Sequence, residues 1–200
     1  PLVHVNVNGH DALFAIDTGA ADLSLDPAFA SAAGIAGPHG TAQSVQLGAI
    51  LMRNVPVDAL PTRTLKLWGR RQADGVVGVR SLAHFLATID YVHHALVLRP
   101  RTEAEEFERD AAAHGAYVQP MVMFGDHLVF ARGRINNGPD GWFAVNTGIV
   151  AGLGPSKVAL ADSGISPKAA AAAETPGLAA VVLGKRRVDN LGGLVAPSGN

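Results

Sequence analysis

The stretch NGHDALFAIDTG, residues 8–19, returns 129 positions later as NGPDGWFAVNTG, residues 137–148. Asn, Gly, Asp, Phe, Ala, Thr and Gly recur, seven identities in twelve positions. A spacing that long excludes a solenoid of short repeats and indicates two copies of one supersecondary unit. The copy continues with one inserted residue, so that Gly34-Ile35 matches Gly164-Ile165. Further on, VQLG at 45–48 matches VVLG at 181–184, and Asn54 matches Asn190.

Working outward from the first copy, the pattern is one of strands. Val3, Val5 and Val7 alternate with His4, Asn6 and Asn8, the period-2 signal of a half-buried strand. Asn8-Gly9 is a strong two-residue hairpin signal. The run Leu13-Phe14-Ala15-Ile16 returns and delivers Asp17-Thr18-Gly19. Residues 28–33 read as one short helix closed by Gly34. Segments 45–47 and 52–57 read as strand, turn, strand. Val76-Val77-Gly78 precedes an amphipathic helical turn over 81–87. Residues 89–91, a His93-His94 turn and 95–98 make a closing hairpin. Thr102 with Glu105 three positions later is a capping-box pattern, placing a charged linker helix over 102–113. The expected organisation is lobe 1 at 1–99, linker at 100–117 and lobe 2 at 118–200. Residues 118–200 contain no counterpart of the 76–98 block. The opening PLVHVNV is already a strand and reads as a mature or trimmed domain.

Composition narrows the function classes. Hydrophobic residues are 48% and charged residues 16%, which excludes a disordered chain. The net charge of -1 gives no electrostatic footprint for nucleic acid. Cysteine is absent, so disulfides, thiol nucleophiles and Cys-based zinc sites are excluded. With 23 Gly and 12 Pro, turns are frequent, which favours many short strands. No apolar run reaches the length of a membrane-spanning helix. His93 and His94 are adjacent and would point to opposite faces of a strand, so they cannot share a metal. No phosphate-cradling glycine motif is present, and neither a metal nor a cofactor is expected.

The pieces VNVNGHDALFAIDTGA, VQLGAILMRNVPV, GVVGVRSL and TIDYVHHALVL together resemble a bacterial retropepsin-like aspartyl protease unit, and they cover lobe 1 almost end to end. The repeat extends the resemblance to two-lobed members, in which each lobe gives one Asp-Thr-Gly. The implied fold is mainly β, a bilobal pepsin/retropepsin-like acid protease fold with few short helices. The implied activity is peptide hydrolysis by a water held between two carboxylates that share a proton. Asp17 takes one catalytic place and Asn146 takes the other. Thr18 and Thr147 resemble the residues that hydrogen-bond across the lobes. Gly19 and Gly148 let the backbone pass close. Resemblance also places a closing flap at Gly37, Pro38, His39, Gly40 and Thr41, with a lobe 2 counterpart in 169–177. The loop 61–71, with Trp68 and its basic residues, is a solvated loop or an edge of the cleft.

Asn146 is the departure. An amide donates a hydrogen bond to Asp17 but neither shares nor returns a proton. Three origins remain open: an engineered inactive variant, a natural pseudoprotease, or a site completed by Asp17 of a second chain. The implied partner is a peptide or protein substrate in the inter-lobe cleft, with no nucleic acid and no transmembrane segment, and with a monomer favoured over a homodimer. The resemblance suggests a periplasmic or secreted setting.

Overall fold

A computed structural model of the chain describes residues 1–64, 72–148, 162 and 180–189. The expectations placed on Trp68, 169–177, Gly164-Ile165 and Asn190 lie outside the described residues. The described residues group into two compact units. The first takes Pro1–Gly115, Met123–Leu128 and Asn146–Gly148. The second takes Ala116–Val122 and Val129–Val145 with the described residues after Gly148.

In the first unit Asn8 and Gly9 adopt left-handed backbone, φ 51° and 88°. That twist lets β1 (Leu2–Val7) turn directly into β2 (His10–Ile16), paired from Val7↔His10 to Leu2↔Ala15. Val5 and Val7 point inward, while Phe14, Ala15 and Ile16 are all fully buried. A continuous apolar run is what a strand covered on both faces requires. β3 (Ser24–Leu25) leads into α1 (Pro27–Ala32), whose start is capped by the Asp26 carboxylate accepting from Ala28 N at 3.1 Å. Gly34, at φ 74°, closes α1. β4 (His39–Leu47) and β5 (Ile50–Ala59) form a long hairpin, extending well beyond the segments read from sequence.

β6 (Gly75–Val77) is the central insertion. It pairs parallel to β2 and antiparallel to β3, closing a barrel in the order β1-β2-β6-β3-β5-β4. Asp74 anchors its start: one carboxylate oxygen accepts from Leu13 N at 3.1 Å and the other from Arg63 Nη2 at 2.6 Å. The core collects Phe14, Ile16, Leu23, Leu25, Phe29 and Val77, with Phe14 and Phe29 edge to face at 6.1 Å.

α2 (Val79–Leu82) is shorter than the helical turn expected over 81–87. Residues from Phe85 instead enter β7 (Phe85–Asp90), paired residue for residue with β8 (Ala95–Pro100). The apolar spacing of Leu82, Phe85, Leu86 and Ile89 suits a helix, but the ladder with β8 prevails. His94 at φ 54° and the Asp90 carboxylate, which accepts from the Val92 and His93 amides, shape the turn between them. These bonds, led by the one from His93, hold the Asp90 carboxyl below its usual range. The capping box at Thr102 is not made. A 3₁₀ turn over Arg101–Glu103 precedes α3 (Ala104–Ala113), which starts without a side-chain cap.

In the second unit the repeat again forms an antiparallel hairpin. β9 (Met121–Phe124) precedes β10 (Leu128–Ile135), which pairs with β11 (Gly141–Ala144) from Gly133↔Gly141 to Phe130↔Ala144. β10 continues to β12 (Ala180–Leu183), and β12 to β13 (Arg186–Asp189). The two copies differ at the turn: Asn136, at φ 50°, precedes the Asn137-Gly138 pair, and the loop there is longer. The fold is mainly β, as the sequence implied. Among the described residues, no helix is long and apolar enough to cross a membrane.

Gly75 marks a tight point of the barrel. A Cβ there would lie 2.5 Å from the Ser24 carbonyl oxygen and 2.6 Å from the Phe14 ring. Gly75→Ala should destabilise the protein by about 1–3 kcal/mol. Urea unfolding checks this, as a lower midpoint at unchanged slope.

Candidate active site

β2 ends at Ile16, and the next backbone amide, Asp17 N, donates to Val77 O at 3.1 Å. Asp17 therefore leaves the barrel at the point where β6 pins the chain. Its carboxylate folds back to accept from Gly19 N at 2.7 Å, and Ala20 N donates to Asp17 O at 3.2 Å. This is an Asx-type turn, formed by short polar side chains that bond to backbone two residues on.

The second triplet repeats the turn. Asn146 Oδ1 accepts from Gly148 N at 2.8 Å, the counterpart of the Asp17 bond. The amide oxygen thus replaces the carboxylate oxygen in the turn without loss of the bond.

The two turns are joined through their threonines. Thr18 N donates to Thr147 Oγ1 at 3.1 Å, and Thr147 N donates to Thr18 Oγ1 at 3.0 Å. The Thr147 hydroxyl also donates to Ile16 O at 2.9 Å. The glycines cross in the same way: a Cβ on Gly19 would overlap the Asn146 side chain, and one on Gly148 would overlap the Asp17 carboxylate. Each side chain therefore lies against the other triplet's glycine. Asp17, Thr18, Gly19, Asn146, Thr147 and Gly148, picked out from the repeat, come together in one half-buried cluster. The cluster thus holds one carboxylate, on Asp17, and one amide, on Asn146.

His39, Gly40 and Thr41 belong to β4 and pair with Asp58, Val57 and Pro56. His39 Nδ1 lies 2.6 Å from Asp58 Oδ1. Gly37, at φ 84°, and Pro38 make the turn before them.

Sequence reasoning missed two supports. Asn8 does more than turn the hairpin: its side chain donates to Ala33 O at 2.9 Å and accepts from Ser44 N at 3.0 Å. Arg80 also escaped notice. It lies just past Gly78, and its side chain grips Asp22 in the loop that follows Asp17.

No protein-family model and no curated protein sequence matches the chain. Among solved structures, a retropepsin-like aspartic protease from Rickettsia conorii is 22% identical with a TM-score of 0.37, over 48% of this chain and 80% of that one. The retroviral protease-like domain of Ddi1 from Leishmania major is 17% identical with a TM-score of 0.36, over 48% of this chain and 84% of that one.

Removing one hydroxyl tests the coupling of the two turns. Thr147→Val would leave Thr18 N–H and Ile16 C=O without their partner and should cost about 1–3 kcal/mol. Thr147→Ser should restore most of it. Chemical denaturation of the three proteins under one buffer reads the difference.

Proposed function

We propose that the Asp17/Asn146 pair is a site of the aspartic peptidase type, which holds an extended peptide and is stopped short of efficient hydrolysis by the amide at 146. The observation that carries this reading is the reciprocal Thr18–Thr147 exchange, with each side chain set against the opposite glycine. A lone Asp-Thr-Gly turn needs no such partner.

The chemistry follows from the residue types. A water between the two side chains would lose a proton to the Asp17 carboxylate as its oxygen attacks the peptide carbonyl carbon. The carbonyl oxygen then needs a proton or a strong donor, and the departing nitrogen needs a proton. A protonated carboxyl at position 146 would give its proton to the carbonyl oxygen; Asp17, carrying the water's proton, would pass that proton to the departing nitrogen as the carboxylate at 146 takes one back from the tetrahedral hydroxyl. Asn146 donates a hydrogen bond to the developing oxyanion but neither gives it a proton nor takes one back. Binding and part of the polarisation are retained, and proton transfer at the carbonyl oxygen is lost.

A site made from Asp17 of two chains has less support. Thr18 already exchanges hydrogen bonds with Thr147 of its own chain, on the side that a second copy would need.

Asn146→Asp is the direct test. Assayed on unfolded protein substrate at mildly acid pH, it should gain about 10²–10⁴-fold in hydrolysis over the natural chain. Its rate should rise and fall with pH in a bell whose two limbs belong to the pair. Adding Asp17→Asn should return the rate to that of the natural chain. A folded Asn146→Asp protein that binds peptide and never cleaves it would overturn the peptidase reading in favour of a peptide-binding module. Activity of the natural chain that climbs with the square of its concentration would favour the two-chain site.

A further inference from the structure

Arg80 stands where two parts of the first unit meet the loop that carries Asp17. Its backbone amide donates to Ala21 O at 3.0 Å, and the neighbouring Val79 amide donates to Ala20 O at 2.9 Å. Gly78 brings the chain so close that a Cβ would lie 2.5 Å from the Ala21 carbonyl oxygen and 2.6 Å from that of Asp22. Residues 20–22 thus rest directly on the backbone of 78–80.

The side chain extends the grip. Nη1 donates to both oxygens of Asp22, at 2.8 and 2.7 Å, and Nη2 donates to Asp126. Asp126 also meets His127 Nδ1 at 2.6 Å. Asp22 lies five residues past Asp17. Asp126 lies in the turn before β10, and the Val129 carbonyl of that strand accepts from Val145 N at 2.8 Å, one residue ahead of Asn146. One guanidinium therefore ties the stretch after Asp17 to the 123–128 segment, which groups in the first unit with Asn146–Gly148.

A single exposed ion pair would contribute almost nothing. Here a planar fork binds two carboxylates and sits on a backbone already held by two further bonds. A lysine ammonium cannot reproduce that planar geometry.

The geometry points to Arg80 as a positioning residue for the Asp17/Asn146 pair, acting by holding Asp22 and Asp126 on one guanidinium. This deepens the peptidase-type reading and takes its purpose from it, though the test below does not depend on it. The charged and titratable groups around Arg80 are Asp22, Asp126 and His127, with Arg53 and His84 lining the groove beside it. The hydrogen bonds from His127 and Arg80 hold the Asp126 carboxyl down to about 2, against an ordinary 3.8. With the folded value depressed, the contribution of Asp126 is in place above about pH 4 and is lost only as pH falls through about 2. The Arg80–Asp126 half of the clamp therefore stays ionised across the mildly acid range in which a proton-sharing pair works.

Amide hydrogen exchange on the natural, Asn146-containing chain tests it without any need for catalysis. In Arg80→Gln the amides of Thr18 and Thr147 should exchange about tenfold faster, while amides of β1 and β4 stay as they were. Arg80→Lys should fall between the two. Asp126→Asn keeps the Asp22 half of the clamp and should loosen both threonine amides by a smaller factor. Unchanged threonine amides in Arg80→Gln would overturn the proposal. So would an equal rise throughout the barrel, which would mark Arg80 as merely structural. Failure of Asn146→Asp to cleave peptides would leave these exchange results standing, so the two readings fail separately.

Discussion

Two threonine hydroxyls carry the centre of this protein. Each accepts the other triplet's backbone N–H, and that of Thr147 also donates to Ile16 O. These groups sit where water has only partial access, so an unpaired donor or acceptor there would cost more than the bond contributes when made. The exchange also brings each Asx-type turn so near the other that only glycine fits at the third position. The frame therefore constrains the second and third residues of both triplets. It is nearly silent about the first, provided that residue has a side-chain oxygen to accept from the amide two positions on. Asp17 and Asn146 both meet that condition, at 2.7 and 2.8 Å. Frame and chemistry are separable here, and the separation explains how an amide can stand in a carboxylate's place with the surroundings intact.

The frame rests in turn on β6. That strand reaches between β2 and β3, and its last carbonyl receives the Asp17 amide. Its glycines are set by contact rather than by backbone freedom. Gly75 passes the Phe14 ring, and Gly78 passes the Ala21 and Asp22 carbonyls. Buried apolar surface in the barrel supplies the main driving force, and these close approaches decide where it places the loop. Arg80 then adds a polar tie on the outer side of the same loop.

Much of this was legible in the sequence, for physical reasons. Alternating valines, an Asn-Gly turn and a continuous apolar run leave few options for residues 2–16, and β1 and β2 followed. The repeat marked all six residues of the two triplets before any geometry was known. What escaped was non-local. The closing hairpin was legible over 89–91 and 95–98, but nothing near residues 81–87 indicates that its ladder starts four residues earlier, at Phe85, and overrides the helical spacing there. Thr102 and Glu105 have the capping pattern, but a 3₁₀ turn occupies the place where the cap would form. The second role of Asn8 depends on Ala33 and Ser44, which lie 25 and 36 residues away. Arg80 reads as one exposed cation among many until Asp22 and Asp126 are brought to it.

The two copies have also diverged in their surroundings. Phe14 is fully buried in the closed barrel, whereas Trp142, next to the matching Phe143, is 54% exposed and sits under the Arg132 guanidinium at 5.1 Å. The first triplet is backed by a dense core and a six-strand closure, and the second is joined to it through the threonine exchange. A carboxylate at position 146 would set a like charge against Asp17, and the pair would have to bind a proton or push the turns apart. In a barrel closed on both sides that repulsion is resisted by packing. Where one turn depends on the other for its placement, repulsion acts directly on the bonds that hold it. An amide at 146 removes the repulsion and keeps the turn.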